Sequence, residues 1–330
     1  MDLESLLSGI KDLINSNGEY MKIKKYIKAL WKYITNPRYR FLINAGLGKY
    51  NKMPDEEYLK KMYYATMGKQ LNLDNPQTFN EKLQWLKLHN RKDIYTVMVD
   101  KYLVRDYIKE KLGEEYLIPL LGVYDKPEDI DFDKLPNQFV LKCNHNSGLG
   151  MYICKDKSKL TKRDFKKIRK ELSKGLKEDY YLYAREWPYK NVPRKIVAEE
   201  FLEENERNGA DSLIDYKWFC FNGEPKIMYI GNDASQHPTC DWFDMKFNFL
   251  NIRDKDPNSE TLPKKPLFFN EMKSFAKKLS EGTKFLRVDF YIVNGHLYVG
   301  ELTFFHCAGF VSFHPEEMDK KLGNLIILKS

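Results

Sequence analysis

Two carboxylates near the C-terminal end of the chain have a spacing that could hold a metal ion. Asp289 and Glu301 lie on either side of the pair Asn294-Gly295, and Arg287 precedes Asp289 by two residues. Two carboxylates held close together ionise at little cost only when a cation lies between them. Mg²⁺ is usually bound by one or two carboxylates together with substrate phosphates. The alternative is an ordinary amphipathic hairpin whose solvated face carries charge.

The turn between these acids decides whether they share a face. An Asn-Gly pair between two runs rich in Val, Phe, Tyr and Leu is the strongest short-range signal for a hairpin. Because a slip of one residue turns every side chain to the other face, a two-residue loop would separate Asp289 from Glu301. We therefore expect a three-residue loop, Val293–Gly295, with Ile292 opposite His296. One face then carries Arg287, Asp289, Glu301 and Thr303, and the other carries Leu286, Val288, Phe290, Ile292, Tyr298 and Leu302.

A lysine and a glycine-bearing loop follow one another in the middle of the chain. Lys142 ends the apolar run Phe139–Leu141, and the loop Asn144–Gly150 contains Ser147 and Gly148. Such a loop can present successive backbone N–H groups to phosphate oxygens, and a neighbouring lysine adds a point charge. The loop does not have the Walker A sequence. The alternative is a lysine at the end of a strand, before an ordinary hairpin turn.

Two further segments carry charge beside apolar strands. Residues 196–203 read IVAEEFLE, a pattern typical of a strand that leaves a sheet and uses its backbone to bind an adenine edge. Asp215 and Lys217 lie two residues apart, on one face of the next predicted strand. A charged pair on the surface of an amphipathic strand is the common alternative.

These segments occur in the order found in a known enzyme superfamily. The sequence from Asn75 to Phe310 resembles the TupA-like branch of the ATP-grasp superfamily, which is associated with teichuronopeptide and other bacterial surface-polysaccharide loci. The matching motifs are PQTFNEKLQWLKL, VDKYLVRDYI, LPNQFVLKCNHNSG, KIVAEEFLE, DYKWFCFNGEPKIM, and RVDF followed by GELTFFHCAGF. The resemblance implies an α+β fold, the ATP-grasp fold, with nucleotide between two α+β lobes and a helical region before them.

The resemblance also implies which residues bind ATP. Glu200–Leu202 would contact the adenine and Asp215 the ribose hydroxyls, while the lysines would contact the phosphates under a mobile lid formed by the loop after Lys142. The full implied set is Lys101, Lys142, Ser147, Gly148, Glu200, Phe201, Leu202, Asp215 and Lys217.

For the metal, the resemblance implies Asp289, Glu301 and Thr303 as ligands of Mg²⁺. Thr303 stands where the superfamily often has an asparagine ligand, and a hydroxyl can also coordinate a cation. The implied reaction joins a carboxylate to an amine through an acyl phosphate, with Arg287 and Lys142 as catalytic residues. Uronic acids and amino acids, linked to a saccharide, are the implied substrates. His306 either contacts the substrate or has a buried structural position.

Three other functions stay open at the level of sequence. A phosphotransferase could use the same nucleotide site and stop at phosphoryl transfer to a hydroxyl. A metal-dependent glycosyltransferase would also need a divalent ion held by acids, but it would bind a sugar nucleotide. A non-catalytic module would bind an anionic polymer or a membrane through its basic residues.

Length and composition fit an enzyme with a sizeable core. The chain has 330 residues, of which 42% are hydrophobic and 14% aromatic. Its five cysteines form no CxxC pair, which indicates reduced thiols. No apolar run approaches the length of a membrane span, and the N-terminus lacks the order of a signal peptide. We therefore expect a cytoplasmic location, which includes the inner face of the membrane.

The net charge of +8 comes from one segment. Residues 20–54 contain no acid, while seven lysines and two arginines fall among apolar residues at helical spacing. Two interpretations stay open. The segment is either an amphipathic helix that lies on an anionic membrane, or a helix that packs on its own domain and leaves its lysines in solvent. No recognised nucleic-acid motif accompanies the charge, so we expect no nucleic-acid partner.

Changes of pattern along the chain predict four regions. Residues 1–74 are expected to form a basic helical N-terminal region, followed by a helical segment over 75–125. Residues 126–200 are expected to form the small ATP-grasp lobe with the phosphate loop. Residues 201–330 are expected to form the large lobe with the metal-binding hairpin.

Overall fold

The computed structural model describes residues 20–203, 213–232 and 238–328. The chain forms two compact units. The first comprises the described residues up to Asn72 together with Leu182–Arg185, and the second comprises the remaining described residues from Leu73 onward. None of the described helices is long and apolar enough to cross a lipid bilayer.

Helices make up the first unit. The polar side chain of Asn36 caps the second helix by accepting a hydrogen bond from the backbone N–H of Tyr39 at 3.1 Å. Arg185 is almost fully buried and donates to the carbonyl oxygen of Tyr50 at 2.8 Å, which fastens the segment Leu182–Arg185 to this unit. The helices are α1 (Tyr20–Thr35), α2 (Pro37–Gly46) and α3 (Asp55–Met67).

The second unit combines helices with two sheets. Its first helix begins at a capping box, in which Thr78 and Glu81 each bind the other's backbone N–H. In chain order the helices from this point are α4 (Phe79–His89), α5 (Asp93–Val99), α6 (Val104–Lys111), α7 (Lys162–Lys177), α8 (Tyr180–Ala184), α9 (Phe269–Ser280) and α10 (Glu317–Leu325). Most of α8 belongs to the first unit, which includes Leu182–Arg185. Short 3₁₀ turns lie at Glu114–Tyr116, Pro127–Asp129, Lys157–Lys159, Trp187–Tyr189 and His306–Gly309.

The smaller sheet has four antiparallel strands in the order β1-β4-β2-β3. Its inner face carries Phe139 and Leu141, which cluster with Ile168 and Leu172 of α7 in a buried core. The strands are β1 (Leu120–Tyr124), β2 (Phe139–Cys143), β3 (Met151–Cys154) and β4 (Ile196–Glu200). This sheet therefore begins before residue 126, inside the segment that the sequence pattern assigned to helices.

The larger sheet has six antiparallel strands in the order β10-β9-β5-β6-β7-β8. Its core includes Trp218, Phe219 and Phe285, with Met272 and Ala276 of α9 also buried. The strands are β5 (Ile214–Phe221), β6 (Glu224–Asn232), β7 (Thr239–Asp244), β8 (Phe249–Leu250), β9 (Phe285–Val293) and β10 (His296–Thr303). Helices and antiparallel sheets in one unit confirm the predicted α+β class.

The hairpin of β9 and β10 has a two-residue loop, so the predicted three-residue loop is wrong. Val293 pairs with His296, while Asn294 and Gly295 both have positive φ, 51° and 75°. Positive φ at both loop positions is typical of the type I′ turn, whose twist matches that of the strands.

A β-bulge nevertheless brings the predicted polar residues to one face. The register shifts between Val299 and Glu301, so that Gly300 is the extra residue and Glu301 pairs with Asp289. Thr303 then pairs with Arg287. The shared face of Arg287, Asp289, Glu301 and Thr303 is thus observed, although the loop that was expected to produce it is not.

The tip of the hairpin differs from the prediction for the same reason. Tyr298 was predicted to lie on the apolar face. It pairs with Tyr291, so it lies on the polar face, where it is half-buried. Leu297 and Val299 occupy the apolar face and are buried. A glycine within a strand often marks a bulge, and Gly300 was the sequence signal for this one.

Gly300→Ala should destabilise the protein. A Cβ at this position would lie 2.5 Å from Cε2 of Tyr291, whose hydroxyl is bonded to Asp215 and cannot easily move away. Overpacking of this kind lowers the free energy of unfolding by about 1–3 kcal/mol, measurable by urea denaturation. Gly295→Asn is the matched control, because a Cβ there meets no atom within 4 Å and Asn tolerates positive φ. An equal loss in both variants would contradict the close contact at the bulge.

Candidate nucleotide and metal site

A row of charged side chains crosses three strands of the larger sheet. Lys217 of β5 lies opposite Asp289 of β9, which lies opposite Glu301 of β10. Directly opposed residues in antiparallel strands have their side chains in contact range. Lys217 Nζ is 3.7 Å from Asp289 Oδ2 and 3.0 Å from Asp215 Oδ2. The sheet itself therefore assembles two of the predicted phosphate and metal residues, although they are 72 positions apart in the chain.

Arg287 grips Asp289 with two parallel hydrogen bonds. Its Nε donates to Oδ1 at 2.7 Å and its Nη2 donates to Oδ2 at 2.6 Å. Nη2 also donates to Thr303 Oγ1 at 3.2 Å, and Nη1 donates to Nδ1 of His306 at 2.9 Å. A guanidinium has five N–H donors. These contacts use four of them, and one N–H of Nη1 has no acceptor within the described part of the chain.

Opposite charges keep this buried group ionised. Burial by itself raises the pKa of Asp289, but Arg287 and Lys217 outweigh it, so the pKa of this carboxyl lies below its ordinary value. Burial likewise lowers the pKa of Lys217, and Asp289 and Asp215 more than restore it. Asp289 and Lys217 are therefore both charged at neutral pH.

Glu301 is the open carboxylate of the pair. Its side chain is 37% exposed, and its nearest charged neighbours are Arg287 at 3.9 Å and Lys101 at 4.0 Å. The hydroxyl of Thr303 donates to it at 3.4 Å. Asp289 keeps two of its four lone-pair positions after binding Arg287. These oxygens fit Mg²⁺, which accepts one or two carboxylates and completes its shell with water and phosphate oxygens.

Lys142 lies on the outer face of the smaller sheet and is paired with Glu199. The distance from Lys142 Nζ to Glu199 Oε2 is 2.5 Å, and Arg105 Nη1 is 3.8 Å from Glu199 Oε1. Glu199 is buried, whereas its neighbour Glu200 is exposed. The sequence indicated Glu200 and missed Glu199. Strand parity could have found Glu199, since β4 alternates and only one of two adjacent acids can share the face of Lys142.

Lys101 connects the loop after Lys142 to the hairpin. Its Nζ donates to the backbone oxygen of Asn146 at 2.5 Å and lies 4.0 Å from Glu301 Oε1. Burial lowers the pKa of Lys101, while Glu301 opposes that shift. Lys101, Lys142, Glu199 and Glu301 all line one cleft. The structure thus brings two of the three predicted phosphate lysines and one predicted metal ligand together.

The loop between β2 and β3 has an anchored part and an exposed part. Asn144, His145 and Asn146 are buried, and the amide of Asn144 donates to Asp100 Oδ1 at 2.9 Å. At its other end, Gly150 lies so close to Gly175 of α7 that a Cβ would be 2.8 Å from the Cα of Gly175. Only residues 147–149 are exposed. Of the predicted lid, Ser147 and Gly148 therefore lie in the part that is open to solvent.

An apolar surface lies beside Lys142 on the same sheet face. Val140 pairs with Ile153, and Lys142 pairs with Met151, so these four side chains point the same way. Met151 and Ile153 are exposed despite being large and apolar. Apolar side chains next to phosphate-binding groups are typical of a surface that covers a purine ring. Met151 and Ile153 were not predicted as site residues, although they alternate along β3.

The predicted adenine segment lies at the end of β4. The backbone N–H of Glu200 donates to Pro119 O at 3.0 Å, and Phe201 and Leu202 are half-buried. The carbonyl oxygen of Glu203 accepts a hydrogen bond from Asn294 at the hairpin tip, at 3.0 Å. The segment thus reaches the hairpin, while contact with adenine stays a prediction. Contact between Asp215 and the ribose also stays a prediction, because Asp215 is buried and paired with Lys217.

Two further buried ionisable residues, Lys87 and Glu186, were not found from the sequence. Lys87 of α4 is fully buried and donates to Gln84 Oε1 at 2.9 Å and to the backbone oxygen of Ala308 at 2.8 Å. Burial lowers the pKa of Lys87, and Glu186 opposes that shift. Burial raises the pKa of Glu186, and Lys87 opposes it. A lysine in a helix and an acid about a hundred residues later give no local signal of such a pair.

Comparison with known families assigns the chain. The profile described as TupA-like ATPgrasp matches residues 81–327, which is most of the sequence. The chain belongs to the TupA-like ATP-grasp family. The resemblance seen in the sequence motifs is thereby confirmed, and so is the ATP-grasp fold, with the helical unit preceding the matched residues.

Solved ATP-grasp structures are similar to this TupA-like chain only distantly. A D-alanine–D-alanine ligase from Bacillus anthracis complexed with ATP is 14% identical over 76% of this chain, with a TM-score of 0.37. The D-alanine–D-alanine ligase from Helicobacter pylori is also 14% identical over 76% of this chain, with a TM-score of 0.38. The chain spans 63% of the Bacillus anthracis ligase and 69% of the Helicobacter pylori ligase. No curated protein sequence matches the chain.

The two acids of this TupA-like hairpin should respond differently to loss of charge. Glu301→Gln should abolish Mg²⁺-dependent ATP consumption and change the free energy of unfolding by less than about 0.5 kcal/mol, because Glu301 is the open carboxylate. Asp289→Asn should lower the free energy of unfolding by about 3–5 kcal/mol, since it leaves Arg287 and Lys217 buried beside a neutral group. Denaturant titration measures the stability of both variants, and ATP consumption is measured separately for Glu301→Gln. Equal destabilisation of the two variants would contradict the assignment of Glu301 as the open carboxylate.

Proposed function

We propose that this protein is an ATP- and Mg²⁺-dependent ligase that joins a carboxylate to an amine through an acyl phosphate. One observation carries the proposal. Lys101, Lys142 and Glu301 line a single cleft, and Asp289 lies opposite Glu301 in the adjacent strand. Two lysines facing two carboxylates match the charges of a nucleotide phosphate chain with its divalent ion.

The basic and acidic residues of the cleft would bind different parts of ATP·Mg²⁺. Lys101 and Lys142, with Lys217 on the sheet face, would neutralise the phosphate oxygens of ATP as negative charge spreads over the transferred group. Asp289, Glu301 and Thr303 would hold Mg²⁺, which supplies Lewis-acid stabilisation of the phosphates when it is bound. Val140, Met151 and Ile153 would cover the purine.

Arg287 would act on the second substrate. One N–H of its Nη1 has no acceptor among the described residues, while its other four donors are fixed. A carboxylate oxygen, which becomes the carbonyl oxygen of the acyl phosphate, is a suitable acceptor for that N–H. Ser147 and Gly148 would close over the phosphates and exclude water, because water would hydrolyse the acyl phosphate before the amine could attack.

The substrate class follows from the family alone. TupA-like enzymes are associated with teichuronopeptide and bacterial surface polysaccharides, so we propose a uronic acid or related saccharide-linked carboxylate and an amino acid or amine. The test is mass spectrometry of ATP-dependent products from a panel of uronic-acid and amino-acid pairs. An amide product supports the ligase. A phosphorylated sugar without an amide would favour a phosphotransferase, and turnover of a sugar nucleotide without ATP would favour a glycosyltransferase.

Nucleotide binding should depend on Lys142. Wild-type protein at a hundredfold excess of ATP·Mg²⁺ over Kd should gain about 2.7 kcal/mol of stability, visible as a rise in Tm. Lys142→Met should weaken ATP binding by roughly 10- to 100-fold, because it removes a charge-assisted hydrogen bond to phosphate. Lys155→Met is the matched control, since Lys155 is an exposed lysine just beyond β3. Calorimetry checks the affinities, and the same loss in both variants would count against the phosphate site.

We also propose that α1 brings the enzyme to the anionic inner face of the membrane. Ile27, Trp31 and Ile34 are 54%, 66% and 57% exposed, and their spacing places them on one side of the helix. Lys28 and Lys32 are exposed beside them. An apolar stripe with lysines around it is the pattern of a helix that lies in the lipid interface. The exposure of this stripe weighs against a helix that packs its apolar side on its own unit.

Loss of the apolar stripe should abolish contact with lipid. The triple variant Ile27→Ser, Trp31→Ser, Ile34→Ser should no longer sediment with phosphatidylserine vesicles, and added salt should weaken the wild-type interaction. Leu267→Ser is the matched control, because Leu267 is 81% exposed and lies outside the basic segment. Unchanged sedimentation of the triple variant, or equal loss in the control, would overturn the membrane proposal. ATP binding should stay intact in all of these proteins.

A further inference from the structure

A chain of buried hydrogen bonds leads away from Arg287 on the side opposite Asp289. Arg287 Nη1 is 2.9 Å from Nδ1 of His306, and His306 Nε2 is 3.1 Å from Asp254 Oδ2. The side chains of His306 and Asp254 are only 2% and 4% exposed. Neither residue belongs to the metal and nucleotide groups described above.

The direction of each hydrogen bond follows from the donors. Arginine donates only, so Nδ1 of His306 must accept. A neutral imidazole that accepts at Nδ1 carries its hydrogen on Nε2, which then donates to Asp254. Burial alone raises the pKa of Asp254, and the hydrogen bonds that it accepts from His306 and from the backbone N–H of Lys255 help to bring it below its ordinary value. Asp254 is therefore an ionised acceptor at the end of a one-way chain.

The same tautomer rules out a metal ion bound between Asp254, His306 and Cys307. The potential ligand atoms of these residues lie within 4.8 Å of one another. A metal would need the lone pair of Nε2, and that position carries the hydrogen as long as Arg287 donates to Nδ1. The sulfur of Cys307 is 3.6 Å from Nε2 and 3.9 Å from Nδ1 of His306, so it lies beside the ring. Nδ1 keeps its hydrogen bond with Arg287, and Nε2 keeps its hydrogen bond with Asp254.

The backbone that carries His306 is held in an uncommon conformation. Cys307 and Ala308 have φ values of 47° and 54°, which only a few non-glycine residues adopt. Gln84 donates to the backbone oxygen of Gly309 at 2.7 Å, and Lys87 donates to that of Ala308 at 2.8 Å. Residues held in this region of φ persist only where the surroundings fix them. The buried polar groups of α4 thus fix the turn on which His306 sits.

We propose that His306 and Asp254 are positioning residues, which orient Arg287 so that its remaining Nη1 N–H meets the carboxylate substrate. The inference rests on the proposed ligase function, because that function assigns the carboxylate to Arg287. His306 contributes the acceptor that fixes Nη1, and Asp254 fixes the tautomer of His306. The role is one of orientation, because His306 contacts Arg287 and Asp254 contacts His306, so that both act on the substrate only through Arg287.

The first test observes the tautomer without any substrate. Full-length protein with ¹⁵N-labelled histidine should show a pyridine-type Nδ1 and a pyrrole-type Nε2 for His306 at neutral pH. Two pyrrole-type nitrogens would mean an imidazolium, which cannot accept from Arg287, and would overturn the proposal. This measurement speaks about the chain of hydrogen bonds whether or not the protein is a ligase.

The second test uses turnover. With the carboxylate and amine pair that gives an amide in the product screen, His306→Phe should raise KM for the carboxylate by roughly 10- to 100-fold, the effect of losing a hydrogen bond to a charged group. KM for ATP should change by less than about twofold, because neither His306 nor Asp254 contacts Lys101, Lys142 or Lys217 in the described part of the chain. His306→Asn should recover most of the loss, since its side-chain oxygen can accept where Nδ1 did.

The outcomes separate the two proposals. An unchanged KM for the carboxylate in a folded His306→Phe protein, or equal rises in both KM values, would overturn the positioning role. If His306→Phe does not fold, Asp254→Asn takes its place and should change the His306 tautomer signals and raise KM for the carboxylate only. If the wild-type protein forms no amide with any pair, the proposed ligase function is wrong. The tautomer measurement still decides whether the chain of hydrogen bonds from Arg287 through His306 to Asp254 exists.

Discussion

The bidentate contact between Arg287 and Asp289 is the interaction on which the polar face of the larger sheet depends. Asp289 is buried and the side chain of Arg287 is only 11% exposed, so an unpaired charge at either position would cost several kcal/mol. The two parallel hydrogen bonds pair both charges and leave each Asp289 oxygen with an unused lone pair. Lys217 contacts Asp289, while Thr303 and His306 each accept a hydrogen bond from Arg287.

Much of the hairpin could be predicted from the sequence, and the part that failed is instructive. Alternation of apolar and polar residues indicated that Asp289 and Glu301 share a face, and they do. The loop length was inferred from that alternation on the assumption of an unbroken register. Gly300 breaks the register, so a two-residue loop and a bulge give the same pairing of acids. Tyr298 was misplaced because it lies between the loop and the bulge, where the two alternatives differ.

Residues whose meaning depends on distant partners were the hardest to predict. Lys101 and Lys142 were assigned only by resemblance to a family, and the structure places both in one cleft with Glu301. Lys87 and Glu186 gave no local pattern, because they come from different elements, while Glu199 was missed although strand parity distinguishes it from Glu200. Exposed Met151 and Ile153 read as ordinary strand residues until the pairing of β2 and β3 puts them beside Lys142. Pairing between strands, and not composition, carried this information.

The division of the loop between β2 and β3 has an energetic consequence. Fixing the backbone of one residue costs about 1–2 kcal/mol of conformational entropy, so a ligand that orders a long loop gives up much of its binding energy. Here Asn144–Asn146 are already held by Asp100, Lys101 and α7, and Gly150 is clamped against Gly175. A nucleotide would have to immobilise only the three exposed residues between them. If the loop closes over a nucleotide, as proposed above, folding has already met most of the entropic cost of closure, which leaves more of the contact energy for affinity.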